Sequence, residues 1–197
     1  MKLVFSFAIM IITSLNTAGQ SSINHQLQKK IEFMFAEDQK WRIESEKILN
    51  GEKTEYKENF INRQLAKTDS LNLVEAKSII KRYGFPGYSL VGEGYSNDFW
   101  AIVQHCDDDI KFQKQVLLLL EKQVKRNNAS GQNFALLQDR VLLSTGKKQI
   151  YGTQVRYNPA TKTAKPLPTQ DSANVDKRRK AVGLSPLNNY LKLFNKN

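Results

Sequence analysis

The 197-residue sequence has only one cysteine, Cys106, and two histidines, His25 and His105. A lone thiol excludes an internal disulfide, so packing and hydrogen bonds must hold the core without staples. So few ligands give no basis for a structural zinc site, and no metal is expected. Asp107-x-Asp109-x-Lys111 opens like a calcium loop. Lysine takes the third ligand position, however, and the glycine and distal glutamate are missing. Gly92-x-Gly94 lacks the third glycine of a dinucleotide loop. There is no P-loop, no H-E-x-x-H and no G-x-S-x-G, and no cofactor is implied.

Long apolar runs are also scarce. The one that exists is N-terminal: Lys2, then Leu3 to Ile12 broken only at Ser6, then the small residues Thr17, Ala18 and Gly19. This is the order of a secretory signal peptide, and the run is shorter than the roughly 20 apolar residues of a membrane span. The expectation is a leader over residues 1–19, a single domain over residues 20–197, and a secreted or periplasmic location. No later run could cross a membrane, so an integral membrane protein is not expected.

Acidic residues are outnumbered, 19 against 30 lysines and arginines, for a net charge of +11. Loss of Lys2 with the leader leaves +10. Such a field attracts anions. In an exported protein those are an anionic small molecule, a glycan or another envelope component rather than nucleic acid. The basic side chains are scattered, apart from one run at Lys177-Arg178-Arg179-Lys180.

Periodicity points to a mainly α, compact multi-helix domain with a small C-terminal β-hairpin. Ile31, Met34, Phe35, Trp41, Ile48 and Leu49 mark a helix over 23–50, with Asp38 on the same stripe and Arg42 one turn on. Residues 55–67 and 71–83 read as two helices, with Asp69 or Ser70 capping the second. Ser89 to Gly92 reads as a short extended or turn segment. Further helices are expected from about Ser96 to Cys106, from about Phe112 to Val124, over 133–144, over 173–182, and after Ser185-Pro186. Gln149–Tyr157 and Thr161–Leu167 are rich in β-formers and flank the turn signal Asn158-Pro159.

Several short motifs together resemble a bacterial domain family of unknown function. They are Tyr83-Gly84-Phe85-Pro86-Gly87, Gln104-His105-x-Asp107-x-Asp109, Asp139-Arg140-Val141, Gln149-x-Tyr151-Gly152-Thr153-Gln154, and Arg178-Arg179-x-x-x-Gly183-Leu184-x-Pro186-Leu187-x-x-Tyr190. Asp38-Gln39 with Arg42 fits the N-terminal part of that family. Phe85 stands where the family pattern has tryptophan, and Cys106 where it has alanine. The resemblance covers roughly residues 30–191. It implies one domain and carries no activity with it.

The polar residues of these motifs are the candidate site. His105 is the candidate acid–base group, with Asp107 or Asp109 orienting it, because imidazole exchanges protons near neutral pH. Arg140 and Arg179 are candidates for gripping an anion. Gln104, Gln113, Tyr151 and Gln154 complete the candidate ligand-binding set. If these converge, the reading is a polar pocket centred on His105, with hydrolysis of an envelope-derived compound as the natural reaction. The alternative is a non-catalytic binding module for an anionic envelope or protein partner. The bland reading is that the same groups cap helices and satisfy buried backbone. Cys106, among apolar neighbours, reads as a small buried hydrophobe.

Overall fold

The computed structural model describes residues 22–158 and 160–194; the expected leader and Pro159 of the hairpin turn lie outside the described residues. Helix α1 (His25–Leu49) starts where the Asn24 side chain accepts from Leu27 N. Its buried face carries Leu27, Ile31, Met34, Asp38 and Trp41 at three- and four-residue spacing.

Helix α2 (Glu58–Tyr83) returns antiparallel to α1. It is one helix where the sequence suggests two, and the two expected capping residues explain why. Ser70 Oγ donates back to Ala66 O at 2.8 Å, a bond that keeps serine inside a helix. Asp69 turns away from its own backbone to accept from Arg42. Gly84 ends α2 at φ +70°, a conformation that favours glycine.

The segment read as extended or turn forms a single-turn helix, α3 (Tyr88–Val91), which leads through Gly92 into α4 (Glu93–Gln104). The Cys106–Asp109 link then passes to α5 (Ile110–Val124), capped by Asp109. Helix α6 (Gly131–Ser144) is capped by Ser130 and pairs with α5. Phe99, Ile102 and Val103 of α4, all fully buried, form the centre on which α1, α2 and α6 close.

The C-terminal region differs from its sequence pattern. Strand β1 is only Val155–Asn158, paired antiparallel with β2 (Thr163–Pro166). Residues 150–154 lie in irregular backbone, because the amides of Ile150, Tyr151 and Thr153 bond to Asp139 and that of Gln154 to Gln149 instead of to a partner strand. Two short helices follow, α7 (Val175–Ala181) and α8 (Leu187–Lys192). Ser185 does not cap α8. Pro186 takes the cap position, and Asp176 of α7 accepts from Leu187 N at 2.7 Å. Among the described residues, no helix is long and apolar enough to cross a membrane.

Candidate functional site

The structure divides the polar signature residues into two networks, one partly open to solvent and one buried.

The open network is built on α1 and the end of α4. His105 closes α4, and its Nδ1 lies 3.0 and 3.1 Å from the two carboxylate oxygens of Asp38. Asp38 is almost fully buried, yet it also accepts from Arg42 Nε and Nη2 at 3.1–3.2 Å and from Gln39 Nε2 at 2.8 Å. Burial alone would raise the Asp38 pKa. The bonds from His105 and Arg42 outweigh it and hold the carboxyl below its usual range. Arg42 Nη2 reaches onward to Asp69 at 2.6 Å. Asp69 itself is pushed up, first by burial and then by the like charge of Asp38, against the pull of Arg42.

A carboxylate only accepts, so the Asp38 contact fixes the proton on His105 Nδ1. The neutral ring then carries its lone pair on Nε2. No described residue bonds Nε2, and the side chain keeps 17% of its surface exposed. An imidazole held by a carboxylate on one nitrogen and open on the other is equipped to take and return a proton.

The carboxylate that orients His105 is therefore Asp38 of α1, and not Asp107 or Asp109. Asp107 accepts from Arg140 Nη1 at 2.8 and 3.1 Å and from Gln113 Nε2 at 3.1 Å. The buried Gln113 also donates to the carbonyls of Val103 and Gln104, so it ties α5 to the end of α4 beneath His105. Asp109 caps α5 through Phe112 N at 2.9 Å and pairs with Lys77 at 2.7 Å. Lys77 and the Phe112 amide hold its carboxyl below the usual range. Arg140 places one terminal nitrogen, Nη1, on Asp107.

The buried network is centred on Asp139, whose residue exposure is 0%. It accepts from the amides of Ile150, Tyr151 and Thr153 and from Thr153 Oγ1, at 2.7–3.1 Å. Gly152, at φ +69°, makes the reversal that lets amides on both sides of it face one carboxylate. Gln149, also at 0%, closes the loop: Oε1 accepts from Gln154 N, and Nε2 donates to the carbonyls of Gln154 and Leu167. Arg179, fully buried, donates to Tyr151 O at 2.7 Å and Ser185 O at 2.6 Å and lies 4.9 Å from the Tyr190 ring. Tyr190 OH donates to Thr153 O. Tyr151, Gln154 and Arg179 thus belong to a scaffold that fixes the loop onto α6, α7 and α8. Arg178 is likewise turned inward, to the carbonyls of Ile150, Gln170 and Asp171. Only Lys177 and Lys180 of the basic run face solvent.

Cys106, adjacent to His105, is 3% exposed, and burial pushes its thiol up to about 12. It is a packing residue and no nucleophile. Among the described residues, no cluster of His, Cys, Asp and Glu is arranged to hold a metal ion.

Two grooves lie elsewhere on the molecule. One of about 400 Å³ runs between α1 and α2 and is lined by Phe33, Met34, Trp41 and Leu71 among others. Another, of about 410 Å³, borders Asp109, Lys77 and Phe112. His105 lines neither.

Asp38 and Arg42 are readable from the sequence as a pair on α1, whereas Asp69, like Ser70, has the side chain of a helix cap. The signal that could have placed Asp69 is its position on α2 opposite Arg42, visible only once α2 is one continuous helix. Fold and site together define an α-helical domain with an aspartate–histidine pair at a helix end. Residues 25–197 match the family of unknown function DUF6624, and the chain belongs to that family. No curated protein and no solved structure matches it.

Proposed function

We propose that the working site of this protein is the His105–Asp38 pair, with His105 Nε2 as the acid–base group in hydrolysis of a polar envelope-derived compound. The supporting observation is the asymmetry of the ring: Nδ1 is fixed by a buried carboxylate, while Nε2 has no partner among the described residues. Arg42 and Arg140 serve the site by holding its carboxylates in place rather than by gripping substrate. The N-terminal Lys2–Gly19 pattern supports a location outside the cytoplasm for this activity.

A second reading is supported by the charge of +11. Here the chain is a non-catalytic module that meets an anionic envelope or protein partner through its exposed lysines.

A panel of chromogenic esters, amides, phosphate esters and glycosides, assayed with wild type and with His105→Gln, separates the two. Turnover of one class that His105→Gln abolishes, with the fold retained by circular dichroism, supports the hydrolase. No turnover in any class, with binding to an anionic polymer that His105→Gln leaves unchanged, supports the module.

A further inference from the structure

The α1–α2 face carries a charge pattern that matches itself, and we infer that it is the interface of a homodimer. Along α1 the groove residues are Lys30, Phe33 and Glu37; along antiparallel α2 they are Glu75, Leu71 and Lys67. Lys30 pairs with Glu75 across the groove within one chain. The same register sets Phe33 beside Leu71 and Glu37 beside Lys67. Neither Glu37 nor Lys67 has an ion-pair partner among the described residues. Each helix therefore reads charge, apolar, opposite charge, and the two helices read in opposite senses.

A two-fold axis parallel to the helices places α1 of one copy over α2 of the other. Lys30 then meets the partner's Glu75, Glu37 meets the partner's Lys67, and Phe33 meets the partner's Leu71. Every contact is complementary and occurs twice, as an isologous interface requires.

The apolar centre is unusually bare. Phe33 is 69% exposed, Leu71 58% and Val74, one turn along α2, 66%. Clustered exposed apolar residues rimmed by charge mark association sites. The size also fits. Helices of 25 and 26 residues present a face about 35 Å long and two helices wide, roughly 700 Å² per copy, within the range of stable interfaces. Lys67 and Glu37 fix the register, since like charges brought together there repel.

Sedimentation velocity over a concentration series tests this. Wild type should dimerise. Phe33→Glu, Glu37→Lys and Lys67→Glu should each weaken the dimer at least tenfold, while circular dichroism shows the helices intact. An equimolar mixture of Glu37→Lys and Lys67→Glu should dimerise again, because each new charge then faces its opposite. Should Phe33→Glu fail to fold, the two charge variants alone carry the test. A wild type that stays monomeric throughout overturns the inference. So does a mixture that fails to re-associate, because a two-fold across the helices, or any other interface, does not pair position 37 with position 67.

Discussion

Asp139 and Arg140 are neighbours on α6, yet they hold different networks: Asp139 accepts from Ile150 N at 2.7 Å, and Arg140 donates to Asp107 at 2.8 Å. Successive helical residues point about 100° apart, so one helix supports the 149–154 loop with one side chain and the His105 region with the next. The two partners differ in exposure. Asp139 is fully buried, whereas the Asp107 side chain keeps 55% of its surface.

That difference predicts unequal stability effects. Asp139→Asn leaves loop amides facing an NH2 group in a buried site. It should cost about 3–5 kcal/mol, the range for breaking a buried charged network. The midpoint of thermal unfolding should fall by roughly 10 °C. Arg140→Gln breaks a largely solvated pair and should cost under about 1 kcal/mol. Thermal melts of both variants check the contrast.

Asp38 predicts acid sensitivity. Its folded pKa lies below the unfolded value, so its contribution is full above about pH 4 and is lost as pH falls through the lowered native value. Asp69, raised by burial, has the opposite sign and acts against this loss. Asp38→Asn should be less stable than wild type at neutral pH by about 3 kcal/mol, and the two should converge in acid. Urea unfolding of both between neutrality and about pH 3 reads this directly.

Cys106 should behave as an inert core atom. With the thiol pushed up to about 12 and 3% exposed, a disulfide reagent should label it only as fast as the chain opens. Cys106→Ala should retain the fold at a cost of about 1 kcal/mol. Labelling kinetics with and without denaturant check both statements.

The helical class and most helix positions were legible because α1, α4 and α5 bury residues at three- and four-residue spacing, the pattern that periodicity reads. The continuity of α2 was not. Ser70 and Asp69 have the side chains of caps, and only their tertiary and i−4 partners show that they sit mid-helix. The irregular backbone of residues 150–154 was not legible for a related reason. Ile150, Tyr151 and Thr153 favour strands, but Asp139, ten or more positions earlier, takes their amides. His105 was visible as a candidate, and so was the Asp38–Arg42 pair. Their meeting was not, since it joins residues 67 positions apart.

Which nitrogen of His105 is free decides whether the ring can accept a proton at this site. Long-range proton–nitrogen NMR of the imidazole rings reports this directly, and with only His25 and His105 present a His25→Gln variant completes the assignment. Neutral His105 should carry its proton on Nδ1 and its lone pair on Nε2, and Asp38→Asn should erase this preference. A neutral His105 protonated on Nε2 in the wild type would overturn this, because the nitrogen that Asp38 does not hold would then have no lone pair with which to accept a proton.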